Sequence, residues 1–177
     1  MIRTKGINHV ALVCHDMAET VAFYTKVLGM PLVKTVELPD GGQHFFFDCG
    51  GGVSVAFFWW ADGPPAAPGI ASVEQFPYKA KTAVGSMNHL AFDMEQADLK
   101  RALTALEEHG VPHTPVIVNH DDSKAGMASE FHDGVFVQSV YFTDPNGIMM
   151  EFASFTKDFT PDDIRHEPAT AAQRVEA

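Results

Sequence analysis

Apolar and polar positions alternate through Gly6-Ile7-Asn8-His9-Val10-Ala11-Leu12-Val13, and again, eighty residues on, through Ser86-Met87-Asn88-His89-Leu90-Ala91-Phe92-Asp93. Period two is the signature of a half-buried strand, and each run then gives way to helical spacing. In the first copy Asp16 precedes a predicted helix from Met17 to Leu28. Glu19 completes a capping box, and Val21, Tyr24 and Leu28 supply the apolar stripe. In the second copy Leu99, Leu103 and Leu106 make the stripe. Both helices stop at one pattern, Gly29-Met30-Pro31 and Gly110-Val111-Pro112, where glycine accepts the left-handed conformation and proline forbids continuation.

Three strand-like runs follow each helix. They are Leu32 to Leu38, Gln43 to Cys49 and Val53 to Trp60 in the first copy, and His113 to Asn119, Phe136 to Thr143 and Ile148 to Ser154 in the second. The last pair is joined by the turn Asp144-Pro145-Asn146-Gly147. The pattern therefore predicts an α+β chain of two βαβββ modules, residues 1–60 and 85–155, packed as one unit. Features repeated in register then face a shared centre. Residues 61–84 form a Pro-rich linker, with Trp59, Trp60, Phe76 and Tyr78 in or beside it; surface packing is their plain reading, a cavity mouth or dimer contact the alternative. Residues 156–177 form a polar tail, its last ten residues expected to be disordered.

Composition narrows the function classes. The chain has 177 residues, 46% of them hydrophobic, enough for a substantial core. Its net charge of -11 would repel a phosphate backbone, which argues against nucleic acid as a partner. No apolar run reaches the length of a membrane span, and the N-terminus runs straight into the first strand without a leader-like apolar segment, so the cytoplasm is the expected location. Cys14 and Cys49 are then expected as two thiols.

The candidate chemistry sits on the strands. A single strand histidine is more often a satisfied core or edge residue than a ligand. Here His9 and His89 occupy matching positions, and Glu151 lies within the apolar strand Gly147-Ile148-Met149-Met150-Glu151-Phe152, where an unpaired carboxylate would be costly. Two neutral imidazoles and one anion are a donor set for a divalent ion: Fe(II) first, with Mn(II), Zn(II), Ni(II) and Co(II) as other ions it accommodates. His120-Asp121-Asp122 reads as solvated loop. The face of His44 is not fixed by the sequence, and an edge position is its plain reading.

On these residues the chain resembles the vicinal oxygen chelate superfamily. The carriers are the paired modules, Asn8-His9 with Phe23-Tyr24 and Leu28-Gly29, Asn88-His89, and the closing run from Tyr141 through Asp144-Pro145-Asn146-Gly147 to Glu151. The resemblance implies a half-open, barrel-like mixed sheet around a metal held by His9, His89 and Glu151. It also implies a small-molecule substrate bound through adjacent oxygens. Ala56 stands opposite Glu151 in the aligned strands, so the carboxylate that glyoxalase-I-like members use in module one is missing.

The remaining three-ligand set is similar to that of the extradiol ring-cleaving dioxygenases, as are Tyr141, ten residues before Glu151, and His132, nine before Tyr141. In that reading Tyr141 and His132 are catalytic, the substrate is an aromatic diol and the co-substrate is dioxygen. Taken singly, Tyr141 reads as strand packing and His132 as a solvated loop residue. One departure is that no histidine starts the last strand of module one, Gly50-Gly51-Gly52-Val53-Ser54. A glyoxalase-like lyase or isomerase is the alternative, a non-catalytic binder of the bleomycin-resistance type the second, and a homodimer one assembly open to either.

Overall fold

A computed structural model of the chain describes residues 7–38, 41–66, 82 and 87–164. The described part of the linker is therefore 61–66 and 82, and the final stretch of the tail lies outside the described residues.

Module one runs β1 (His9–Val13), α1 (Met17–Ala22), β2 (Leu32–Glu37), β3 (Gln43–Asp48) and β4 (Ser54–Trp59). Module two runs β5 (Leu90–Asp93), α2 (Leu99–Glu108), β6 (Val118–Asp121), β7 (Val135–Thr143) and β8 (Met149–Phe155). Each forms a four-stranded mixed sheet, ordered β1-β4-β3-β2 and β5-β8-β7-β6, in which the first strand pairs parallel with the last. The two sheets are not closed into a barrel, and among the described residues no strand ladder joins them.

The local rules explain the elements. Asp16 accepts from the Glu19 amide at 2.9 Å and starts α1. After Ala22 the helix widens into a π-helical turn, Phe23–Val27, where Thr25 returns its hydroxyl to the Val21 carbonyl at 2.6 Å. Gly29 at φ 69° and Gly110 at φ 66° close the two helices in the left-handed region. The strand expected from His113 is shorter and later than its apolar run implies. Pro115 interrupts it, leaving an isolated bridge between His113 and Phe142 and moving the strand proper to Val118–Asp121. His120 and Asp121 are consequently strand residues and not solvated loop, a correction that bears on the site.

One core runs through both modules. Tyr24 lies against Phe47 and Phe57 at 5.2 and 5.0 Å, and Phe142 against Phe152 at 4.7 Å. Truncating any of these buried rings to alanine should cost about 3–5 kcal/mol. The turn before β8 reaches across to module one: the His15 amide donates to Asn146 Oδ1 at 2.8 Å, and the Tyr24 hydroxyl to Asp144 Oδ2 at 3.5 Å. Both cysteines are free thiols. The start of the tail is ordered, with Phe159 packed on Phe136 and Phe155 and a short capped turn at Pro161–Asp163. Among the described residues no helix is long and apolar enough to cross a membrane.

Candidate metal centre

Each sheet turns one face to its helix and leaves the other open. On the open face of module two, Tyr141 stands in register with Glu151, and Glu151 with Ala91. His89, just before β5, brings its Nε2 to 2.8 Å from Glu151 Oε2. The glutamate side chain is 6% exposed and the imidazole 34%, so the pair lies at the rim between core and solvent.

The Asn88 side chain explains why the repeated unit is a dipeptide. Its amide nitrogen donates to Thr82 Oγ1 at 3.2 Å, and its Oδ1 accepts from His89 Nδ1 at 2.7 Å. Oδ1 has no proton to give, so His89 Nδ1 carries the hydrogen and Nε2 faces a carboxylate. Two lone-pair atoms at 2.8 Å need an electrophile between them: a shared proton when no ion is bound, or a divalent cation in its place. The donor chemistry of this pair therefore fits a metal.

Electrostatics agree. Burial pushes the Glu151 carboxyl up, but the hydrogen bond of His89, then Ser139, the His89 charge and Tyr141 together outweigh it and leave the group below its ordinary value. Tyr141 is driven the other way, to about 12, by burial first and by the Glu151 charge after it. Its hydroxyl is thus neutral at physiological pH and meets His120 Nε2 at 3.0 Å. Ser139, fully buried two residues earlier on β7, lies near enough to favour the Glu151 carboxylate. It makes no hydrogen bond of good geometry and is a buried side-chain oxygen without a partner.

Module one repeats the frame with different fillings. His9 Nδ1 is held by Asn8 Oδ1 at 2.8 Å, and its ring meets Phe46 edge-on at 5.7 Å, the distance that separates His89 from Tyr141. Ala56 pairs with Phe46 and with Ala11 where Glu151 pairs with Tyr141 and with Ala91. His44 lies on this open face, stacked on Phe58 at 3.6 Å with its Nδ1 toward the Phe57 carbonyl at 3.2 Å; Phe58 in turn stacks on Trp60.

The structure therefore brings His89, Glu151 and Tyr141 together and leaves two predicted residues elsewhere. His9 stays with Asn8 and Phe46, and among the described residues no three His, Cys, Asp or Glu side chains gather at a spacing suited to one ion. His132 lies on the exposed loop before β7, where Asp121 Oδ2 is 3.2 Å away and the Gly134 amide donates to its Nδ1. That loop precedes Val135, six residues or roughly 20 Å of strand from Tyr141. Asp121 is held below its ordinary value by Ser123 first and by His132 after it. Sequence reading quoted Asn8 and Asn88 without giving them a role, set His120 aside as solvated loop, and did not single out Ser139. The signal for the asparagines was present, since they repeat along with the histidines.

Comparison with known proteins identifies the family of the fold. The sequence model of the Glyoxalase/Bleomycin resistance protein/Dioxygenase superfamily matches residues 6–152. "Glyoxylase I 4" of Arabidopsis thaliana is 27% identical over 155 residues, 86% of this chain and 72% of that protein. "Putative ring-cleaving dioxygenase MhqE" of Bacillus subtilis is 46% identical over 48 residues, 26% of this chain and 16% of its own length. Among solved structures, a glyoxalase family protein from Enterococcus faecalis aligns with a TM-score of 0.59 at 25% identity, covering 84% of this chain and 97% of the other.

Proposed function

The chain belongs to the Glyoxalase/Bleomycin resistance protein/Dioxygenase superfamily, and we propose that it is a divalent-metal enzyme that binds adjacent oxygens of a small substrate, with extradiol cleavage of a catechol-like diol as its reaction. The observation that carries this reading is the polar cluster of module two. His89 and Glu151 share one proton-sized gap, beside a neutral phenol and an orphaned serine hydroxyl. Glu151 and His89 are the residues that would hold the ion, with His9 as third ligand. Fe(II), when bound, supplies the site at which a diol and dioxygen meet.

The protein's own groups orient and exchange protons. The Tyr141 hydroxyl, kept neutral, donates to a substrate oxygen. Ser139 offers a second donor at the same face. The stacked aromatic face of His44, Phe58 and Trp60 is suited to a flat ring. His132, nine residues before Tyr141, is proposed as a proton carrier on that spacing alone. The lack of a carboxylate at Ala56 favours oxygen chemistry over the glyoxalase arrangement.

A lyase or isomerase is the second reading, favoured by the likeness to Glyoxylase I 4 along 86% of this chain. Anaerobic reconstitution with Fe(II), followed by oxygen uptake and a yellow ring-fission product on a panel of catechols, is the expected result. Stoichiometric metal without oxygen uptake, but with isomerisation of a hemithioacetal, would turn the assignment to the lyase. Protein that retains no divalent metal after reconstitution would end both.

A further inference from the structure

His120 enters the site from β6, the edge strand of module two, and no part of the proposed reaction has yet used it. Its backbone pairs with Val137, whereas Tyr141 pairs with Glu151, so the contact between the two side chains spans four residues of β7. The Tyr141 ring must lean along the sheet to make it. That lean is held on both sides: the ring stands nearly perpendicular to His89 at 5.7 Å and to His120 at 5.9 Å. The hydroxyl then closes on His120 Nε2 at 3.0 Å.

We propose that His120 is the positioning residue of Tyr141, holding its hydroxyl beside the His89–Glu151 pair while leaving the hydroxyl proton free to turn toward a ligand oxygen. The inference deepens the functional reading and rests on Tyr141 meeting substrate. A phenol next to an acceptor-only carboxylate is drawn to give its single proton to Glu151 and compete for the oxygens that an ion needs; His120 at 3.0 Å is instead the well-formed partner of the hydroxyl among the described residues. An imidazole removes that conflict because it serves in either sense. With its proton on Nε2 it donates to the phenol oxygen, and with its proton on Nδ1 it accepts from the phenol. His120 is half-buried and makes no other side-chain hydrogen bond among the described residues, so neither tautomer is imposed on it. A phenylalanine here would keep the edge-on ring packing and lose the hydrogen bond. A glutamine would keep a polar atom near the Nε2 position.

The test uses the full chain with its tyrosines labelled at the ring carbon that bears oxygen. There are three tyrosines, so Tyr141→Phe assigns the signal. In metal-free, substrate-free protein, His120→Phe should shift the Tyr141 resonance and His120→Gln should return it toward the wild-type position. With Fe(II) and a catechol, His120→Phe should lower kcat roughly 10- to 100-fold at nearly unchanged KM, with Gln recovering most of it.

A Tyr141 resonance unmoved by His120→Phe would overturn the proposal, as would a Gln variant as impaired as Phe. Should His120→Phe fail to fold, His120→Gly with added imidazole replaces it. Restoration of the resonance by imidazole supports the proposal, and no restoration overturns it. The resonance requires no turnover, so a shift in protein that cleaves no catechol would sink the dioxygenase reading and leave the positioning role standing.

Discussion

Module one and module two hold their histidines in the same way and do different things with the space beside them. In both, an asparagine oxygen takes Nδ1 and an aromatic ring lies edge-on at 5.7 Å. What separates them is small in atoms: Phe46 against Tyr141, and Ala56 against Glu151. One hydroxyl and one carboxylate turn an apolar sheet face into a polar one, and the buried Ser139 hydroxyl adds to it. A duplicated fold can thus keep its histidine frame while confining the charged chemistry to a single copy. The other face is left as an aromatic wall of His44, Phe46 and Phe58.

The strongest way to break the comparison is to install in module one the carboxylate that module two has. Ala56 is fully buried, and register sets His9 beside it as His89 is set beside Glu151, but Phe46 stands where module two has the Tyr141 hydroxyl. In the absence of metal, Ala56→Glu should therefore destabilise the protein by about 1–3 kcal/mol, the cost of a buried carboxylate that one imidazole leaves partly unsatisfied. It would appear as a drop in the denaturant midpoint at unchanged slope. Divalent metal should recover part of the loss if His9 can serve as a ligand. A cost below about 1 kcal/mol would mean that the module-one face is better solvated than its burial implies, and the contrast would fail.

A smaller effect sharpens the question of the third ligand. Asn88→Ala removes the oxygen that fixes the His89 tautomer, and such outer-shell partners are worth roughly 10- to 100-fold in metal affinity. Asn8→Ala is the same change at His9. If both histidines bind one ion, the two variants lose comparable affinity in competition with a chelator. If only Asn88→Ala loses affinity, the metal belongs to module two alone and His9 is a remnant of the repeat.

The repeated unit and its endings were readable from spacing, because strand alternation, the Asp16 cap and the two helix-closing glycines are local rules. Glu151 was readable for a related reason: a charge amid Met149, Met150 and Phe152 has to be satisfied by something. His120 was not. Pro115 breaks the run that precedes it, and the strand that carries it forms only because β7 offers an edge to pair with. The place of His132 was equally hidden. A fixed offset from Tyr141 says nothing about a loop that Asp121 can hold against the surface. The convergence of His9 with His89 and Glu151 depends on how two sheets are set against each other. Spacing within each sheet does not determine that.

The smallest expected effect concerns the junction at which the two unlike modules meet. Tyr24, fully buried in module one, donates to Asp144 of module two over 3.5 Å, near the limit of a hydrogen bond. Burial raises the Asp144 carboxyl above its ordinary 3.8, although hydrogen bonds from Asn146, Ile148 and Tyr24 oppose the rise. A raised acid makes no difference to stability at low pH, where both states hold the proton. As pH climbs past 3.8 the unfolded chain ionises first, and stability falls until the folded carboxyl ionises as well. Above that point the buried charge exacts its full cost, part of which the Tyr24 hydroxyl offsets. Tyr24→Phe should therefore lower stability by about 0.5–1 kcal/mol at neutral pH. The difference should narrow as pH falls through the raised Asp144 value, already above the ordinary 3.8. Paired unfolding curves across pH measure it. A difference that stayed constant with pH would show that the tyrosine contributes packing alone, and that the modules are joined by their common core and not by this contact.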